Sequence, residues 1–174
     1  IGSEVKNYQI GDRIVSNACH AEIVTTQKHL SAIIPDNVSD ETASFTVIAS
    51  IAMHGVRLAN VTLGETVAVV GSGLIGLLTI QILKANGCNV IAYDFDKKKL
   101  MLAEKFGAQS FLLDNEGSGE NFALNHTNNI GVDKTIITAS TKTSEPIKLA
   151  SKITRKRGKI ILVGVVDIHF DRSD

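Results

Sequence analysis

The chain has 174 residues, of which 44% are hydrophobic, and it carries 18 basic and 18 acidic side chains. This composition is typical of a globular protein rather than a disordered one, and its zero formal net charge offers no attraction for nucleic acid or an acidic membrane surface. Its two cysteines are too few for a disulfide framework or a thiolate zinc cage, and as free thiols they fit a cytoplasmic location.

The first 38 residues have a pattern that is typical of short strands and turns. Gly11-Asp12 indicates a turn, and we predict strands at Arg13–Val15 and Ala21–Val24. A stretch this short cannot bury a core of its own, and the chain begins at Ile1 without an initiator methionine. We therefore expect residues 1–38 to be the remnant of a β-rich domain whose first part lies upstream.

Residues 39–60 are predicted to form a linking helix. Ser39 is a favourable N-cap, and Asp40 and Glu41 suit the positive end of a helix. Apolar residues then recur at helical spacing as far as Ala59. We expect one helix, from about residue 40 to residue 59, between the β-rich remnant and the next domain.

From residue 61 the pattern becomes an alternation of strands and helices. Strands are predicted near residues 66–70, 89–93, 109–113, 134–139 and 159–164, and helices near residues 74–85, 96–106, 119–126 and 144–156. This order predicts an α/β fold with a doubly wound parallel sheet over residues 61–174, incomplete at its C-terminus. The uncharged run from Thr66 to Leu83 is predicted to be a strand, a glycine turn and a helix rather than a membrane span.

A glycine-rich turn carries the strongest chemical signal of the sequence. Its residues are Gly71-Ser72-Gly73-Leu74-Ile75-Gly76, and it follows a predicted strand and opens a predicted helix. Gly71 permits a tight turn, Gly73 allows a pyrophosphate to approach the backbone, and Gly76 lets the helix pack against the strand. The free amides near Leu74 and Ile75 would face the anion, so we predict a dinucleotide-binding site.

Asp94 follows the next predicted strand, 23 residues after Gly71. A carboxylate at this position can accept hydrogen bonds from the adenosine ribose hydroxyls and would repel a 2′-phosphate, so NAD is favoured over NADP. Lys97, Lys98 and Lys99 leave NADP open, because a cation beside the acid could tolerate the phosphate.

The chain resembles the medium-chain dehydrogenase/reductase superfamily, the zinc-type alcohol dehydrogenase-like proteins. Segments carrying this resemblance are spread along almost the whole chain: Gly11-Asp12-Arg13-Ile14-Val15, His20-Ala21-Glu22, Leu63-Gly64-Glu65-Thr66-Val67, the glycine turn, Phe106-Gly107-Ala108 and Gly131-Val132-Asp133. The resemblance implies that residues 1–38 belong to a GroES-like catalytic domain. His54-Gly55-Val56-Arg57-Leu58-Ala59, before the Leu63-Gly64-Glu65 turn, also resembles a bacterial subgroup in which the dehydrogenase is fused to a second oxidoreductase module.

The resemblance also implies further cofactor contacts and a reaction. The implied contacts are Phe95 and Lys99, then Thr138 and Ala139 after the fourth strand, and Val163, Gly164 and Val165 after the fifth. The implied activity is NAD(P)-dependent hydride transfer to or from a small alcohol or carbonyl compound, in a protein that forms a homo-oligomer, expected to be a dimer. We expect the present stretch to bind cofactor but to turn over little substrate.

Zinc is not expected in this chain. Cys19 and His20 are adjacent, and neighbouring strand residues face opposite ways, so they cannot easily hold one ion. Zinc-dependent relatives often place a cysteine ligand where this chain has Thr46, which is a poor zinc ligand. Two alternatives therefore stay open beside the dehydrogenase: a zinc-independent, quinone-reductase-like enzyme and a non-catalytic NAD(H)-binding module.

Overall fold

The computed structural model describes residues 1–113 and 118–169, which fall into a compact unit from Ile1 to Ser50 and a second unit that begins at Ile51. In the first unit, strands β1 (Ile14–Ser16) and β2 (Ser31–Ile33) pair antiparallel, with a short 3-10 helix at Lys28–Leu30. The strand predicted at Ala21–Val24 is wrong, because this segment forms bends and pairs with no strand. Cys19 and His20 therefore lie in irregular, exposed chain.

The predicted linking helix is divided in two. Helix α1 (Asp40–Ala43) begins at the N-cap Ser39, whose side chain accepts a hydrogen bond from the Thr42 amide, and helix α2 spans Thr46–Ala59. The hydroxyl of Ser44 donates to the Glu41 carbonyl at 2.6 Å. The Phe45 amide donates to the Thr42 carbonyl, three residues back rather than four, so the backbone hydrogen-bond pattern changes between α1 and α2.

The second unit contains a parallel sheet of five strands in the order β5-β4-β3-β6-β7. The strands are β3 (Thr66–Val70), β4 (Asn89–Asp94), β5 (Gln109–Leu112), β6 (Val132–Ile137) and β7 (Thr154–Leu162). The helices are α3 (Leu74–Ala85), α4 (Lys97–Lys105), α5 (Gly119–Asn125) and α6 (Glu145–Ile153). The predicted doubly wound sheet is confirmed. None of the helices in the described ranges has the length and hydropathy needed to cross a membrane.

Two apolar clusters cover the two faces of the sheet. Alternate strand residues such as Val67 and Val69 pack with α2, α3 and α4, whereas Ala68 and Val70 pack with α5 and α6. Because strand side chains alternate between faces, this division shows that the central strand is buried on both sides. The carboxyl ends of the strands therefore meet along one edge that is bounded by helices from both layers.

Strand β7 begins earlier than the sequence pattern predicts, because tertiary contacts end helix α6 at Ile153. The Thr154 hydroxyl lies 2.7 Å from that of Thr135, and Arg155 Nε donates to Asp133 Oδ1 at 2.7 Å. Pairing between β6 and β7 is irregular near Val132, and Arg157 has a φ of 66°. These partners are far away in sequence, so helical spacing alone could not reveal them.

A network of charges stabilises the amino ends of β3 and β6. The ammonium of Lys134, whose side chain is 9% exposed, pairs with Glu65, and the carboxylate of Asp133 accepts from Arg155 and from the Thr66 amide. Burial raises the pKa of both acids, but hydrogen bonds and the neighbouring cations lower it by more. The pKa of Glu65 and the pKa of Asp133 therefore lie below their ordinary values.

We expect the free energy of unfolding to decrease as the pH falls from about 5 towards 2. Both acids have a lower pKa in the folded chain, so their stabilising effect is complete above the pKa of the unfolded chain and is lost as the pH falls through the folded values. Asp133→Asn should flatten this dependence and cost about 1 kcal/mol at pH 7. Urea denaturation at several pH values measures the free energy of unfolding, and Asp36→Asn, at an exposed residue, serves as the control. Equal slopes for both variants would contradict the assignment.

Candidate functional site

The residues predicted to bind the cofactor all lie at or just beyond the carboxyl ends of the parallel strands. Gly71, Ser72 and Gly73 connect β3 to α3, and Leu74, Ile75 and Gly76 form the first turn of that helix. Asp94 is the last residue of β4, and it is followed by Phe95 and, in the first turn of α4, by Lys99. Thr138 and Ala139 follow β6, and Val163, Gly164 and Val165 follow β7.

The glycine turn is held by the neighbouring strand ends. Gly71 has a φ of 101°, and its amide donates to the Tyr93 carbonyl at 2.8 Å. A Cβ at Gly71 would lie 2.6 Å from the backbone nitrogen of Ala139, so only glycine fits this close approach. The hydroxyl of Thr138 donates to the Gly71 carbonyl at 2.5 Å and fixes the turn from the same side.

The amino end of helix α3 presents backbone amides without a capping side chain. Its N-cap is Gly73, whereas the side chains of Asp96 and Ser118 cap α4 and α5. A Cβ at Gly73 would meet no heavy atom within 4 Å, so the space in front of these amides is open. Free amides and the positive end of the helix dipole together favour an anion at this place.

Asp94 connects the glycine turn to the start of α4. One carboxylate oxygen accepts from the Ser72 amide at 2.7 Å, and the other accepts from the Asp96 amide at 2.8 Å and lies 3.8 Å from Lys99 Nζ. The residue is only 9% exposed. Asp94 thus orders the turn itself, and its oxygens keep unused lone pairs for a further donor.

Ser72 contains a buried polar atom without a partner. Its hydroxyl oxygen makes no hydrogen bond to any described protein atom, although the residue is completely buried. A buried hydroxyl normally finds a partner, because leaving it unsatisfied costs about 1–3 kcal/mol. The unsatisfied oxygen therefore lies within the same turn that offers open amides.

Three large apolar side chains near this edge are exposed to solvent. Leu74 is 51% exposed, Phe95 is 77% exposed and Val165 is 79% exposed. They occupy the ends of three different segments: the start of α3, the residue after β4 and the loop after β7. An exposed phenylalanine beside a carboxylate suits an aromatic base whose sugar is hydrogen-bonded by that carboxylate.

A second close backbone contact joins the segments that follow β6 and β7, between Ala139 and Gly164. A Cβ at Gly164 would lie 1.9 Å from the Ala139 carbonyl oxygen. The amides of Val163 and Gly164 both donate to the Ile137 carbonyl, and the Thr141 amide donates to the Val165 carbonyl at 2.9 Å. Gly71, Ala139 and Gly164 thus bring three strand ends together through main-chain contacts.

Two features of the site were missed from the sequence. Asp96 caps α4 and donates its own amide to Asp94, and an aspartate just before a helix is a signal that could have revealed it. The close approach of Gly55 in α2 to Val163 has no sequence signal, because a glycine inside a helix does not indicate which residue packs against it. The local sequence around Asp94 thus allowed its place in the site to be predicted, whereas contacts between segments far apart in the chain could not be predicted.

The described residues offer no fitting zinc site. No three His, Cys, Asp or Glu side chains of residues 1–113 and 118–169 come together as a metal site. Thr46, at the position where the resemblance implies a ligand, is an exposed residue at the start of α2 with a neutral hydroxyl. We therefore derive no chemical step through zinc, and its absence from this chain stays a prediction.

Comparisons with known proteins agree with this arrangement. The sequence profile of the family described as zinc-binding dehydrogenase matches residues 75–172. The chain is 31% identical over 152 residues to a zinc-type alcohol dehydrogenase-like protein of Escherichia coli, and 30% identical over 142 residues to human sorbitol dehydrogenase. These alignments cover 85% and 79% of this chain but only 41% and 40% of the relatives, so the chain spans about two fifths of their length.

A solved structure is similar over nearly the whole chain. It is a mycobacterial protein complexed with NADPH, and it superposes with a TM-score of 0.84 at 24% identity. The match covers 98% of this chain and 56% of the mycobacterial chain. At this identity the likeness concerns the fold.

Proposed function

Because this chain belongs to the zinc-binding dehydrogenase family, we propose that it is the dinucleotide-binding part of an oxidoreductase that acts on a small alcohol or carbonyl compound. The observation that carries this proposal is the uncapped amino end of α3 behind Gly73, with open space in front and Asp94 beside it. The same arrangement offers an anion site and a sugar acceptor within one turn. Relatives named as dehydrogenases support the class of reaction.

The residues present fit a nicotinamide dinucleotide. The amides of Leu74 and Ile75 would bind the pyrophosphate, Asp94 and Lys99 would bind the adenosine ribose, and Phe95 would lie against the adenine. Thr138, Ala139 and residues 163–165 would border the nicotinamide, whose C4 carbon supplies or accepts the hydride. The chain's own part is to bind and orient the cofactor, since the substrate would be bound mainly by segments that the longer relatives possess.

We infer that NAD is preferred over NADP, because the Asp94 carboxylate would repel a 2′-phosphate. Lys99 reduces this repulsion, as its ammonium lies 3.8 Å from the carboxylate, and the similar mycobacterial structure contains NADPH. We expect NADH to bind the unmutated chain about tenfold more tightly than NADPH, and we expect Asp94→Asn to remove this difference. Calorimetric titration with both cofactors measures it, since the chain has no tryptophan to report binding by fluorescence.

Asp96→Asn is the matched control for this experiment. It removes one negative charge two residues away, and asparagine caps helix α4 as well as aspartate does. A preference for NADH that persists in Asp96→Asn and disappears in Asp94→Asn would support the role given to Asp94. Equal affinities of the unmutated chain for NADH and NADPH would contradict it.

A zinc-independent reductase is the second candidate for the whole protein. Thr46 favours it, because the described residues offer neither a cysteine at this position nor another cluster of metal ligands. Metal analysis of the full-length protein separates the candidates: a stoichiometric zinc content that is required for activity would contradict the reductase. A non-catalytic NAD(H)-binding module would show cofactor binding without turnover of any alcohol or carbonyl compound.

We propose further that residues 1–38 belong to a GroES-like catalytic domain, that residues 39–60 link it to a dinucleotide-binding domain over residues 61–174, and that the whole protein is a cytoplasmic homodimer. The outer edge of β7 has no partner strand within the described residues, which leaves it available for another strand. A monomeric mass of the full-length protein by light scattering would contradict the dimer, and fractionation with a non-cytoplasmic compartment would contradict the location.

A further inference from the structure

Helix α2 approaches the end of strand β7 at a glycine. Gly55 is buried in the interior of α2, and a Cβ built on it would lie 2.6 Å from Val163 Cγ2 and 3.8 Å from Ile136 Cγ2. A glycine inside a helix costs about 1 kcal/mol relative to alanine. Helix formation therefore does not explain Gly55, whereas the close approach to Val163 does.

Val163 has little freedom to yield. Its side chain is β-branched and restricted at χ1, and its amide donates to the Ile137 carbonyl at 2.9 Å. The next residue, Gly164, also donates to Ile137 and would touch the Ala139 carbonyl if it carried a Cβ. A side chain added at Gly55 would therefore displace Val163 together with the backbone of Gly164 and Val165, because a rotation of the Val163 side chain alone cannot relieve the overlap.

We propose that Gly55 is a positioning residue for the cofactor: its missing side chain lets Val163 and the following two residues take the place from which they border the nicotinamide. This inference rests on the proposed function, in which residues 163–165 lie on the nicotinamide side of the site. The phosphate-binding turn and Asp94 lie on other strand ends, so Gly55 acts on one half of the dinucleotide.

The test compares ligands that fill different parts of the site. In Gly55→Ala we expect the Kd for NADH to rise about tenfold, and the Kd for AMP, which lacks the nicotinamide half, to change by less than about twofold. The double variant Gly55→Ala with Val163→Ala removes the methyl groups that the new Cβ would meet, so we expect it to recover most of the NADH affinity lost in Gly55→Ala, relative to Val163→Ala alone. Met53→Ala, on the exposed side of the same helix, serves as the control.

Several results would overturn the inference. These are an unchanged NADH affinity in Gly55→Ala, an equal loss of NADH and AMP affinity, and a double variant that recovers nothing. Thermal unfolding accompanies each titration, because a purely structural role would change the stability and both ligands together. If the unmutated chain binds neither NADH nor AMP, the proposed function itself fails, and this is seen before any substitution is compared.

Discussion

Gly73→Val should abolish measurable NADH binding, with a rise in Kd of at least about a hundredfold. A side chain at this position would extend into the open space in front of the first α3 amides, where the proposed pyrophosphate would approach the backbone. The fold should survive, because Gly73 has a φ of −72°, which any residue adopts, and no heavy atom lies within 4 Å of the added Cβ. Valine is a poorer N-cap than glycine, so a loss of about 1 kcal/mol of stability is expected.

Calorimetric titration measures the binding, and thermal unfolding followed by circular dichroism reports whether the chain is folded. Gly73→Ala is the graded control, because one methyl group obstructs the same space less and should weaken binding by a smaller factor. NADH binding by folded Gly73→Val with the affinity of the unmutated chain would contradict a pyrophosphate at this turn.

Gly76→Ala should act mainly on folding, with a loss of stability of about 3 kcal/mol. A Cβ at Gly76 would lie 1.9 Å from the Gly71 carbonyl oxygen and 2.9 Å from the Thr138 hydroxyl. Both neighbours are fixed, since the Gly71 carbonyl accepts from that hydroxyl. Alanine is the better helix former, so a decrease in stability can come only from this clash.

Urea denaturation measures the stability of Gly76→Ala, and Gly73→Ala again provides the matched comparison. Both variants add one methyl group to the same motif, three residues apart, and only the methyl at Gly76 meets protein atoms. We expect the two substitutions to separate, with Gly73→Ala changing binding and Gly76→Ala changing unfolding. A Gly76→Ala chain as stable as the unmutated chain would show that the turn can move away from α3.

The sheet of the second unit could be predicted because its signals are local. Strand β3, the glycine turn and helix α3 follow one another in the order that the alternation of residue types indicates, and their predicted bounds agree with the structure. Gly87 and Gly107, which both have a positive φ, follow the ends of α3 and α4, where glycine is the usual residue. Apolar runs that are buried on both faces leave few alternatives to a parallel strand.

The errors arise where distant residues decide the outcome. Thr154 and Arg155 continue a helical pattern in the sequence, but they belong to β7, where their side chains form hydrogen bonds with Thr135 and Asp133 of β6. Ala21–Val24 has strand-forming residues, yet β1 pairs instead with Ser31–Ile33. A short segment has too little pattern to determine which neighbour it pairs with.

The candidate site shows the same division. The glycine turn and Asp94 could be named from spacing, because the motif fixes their relation along the chain. That Asp94 accepts from the Ser72 amide depends on how two strand ends meet, and no pattern in either segment indicates it. Gly55 and Val163 are more than a hundred positions apart in the chain, so their close approach could be recognised only from the structure.

The close contacts of Gly71, Ala139 and Gly164 bear on the entropy of binding. Glycine and alanine have no side-chain rotamers to lose, so a ligand lying across these residues would immobilise few rotatable bonds of the protein. Hydrogen bonds from Thr138 and from the amides of Val163 and Gly164 already hold the main chain there before any ligand arrives. Much of the ordering that recognition requires has thus been completed during folding, which leaves more of the interaction free energy to appear as affinity.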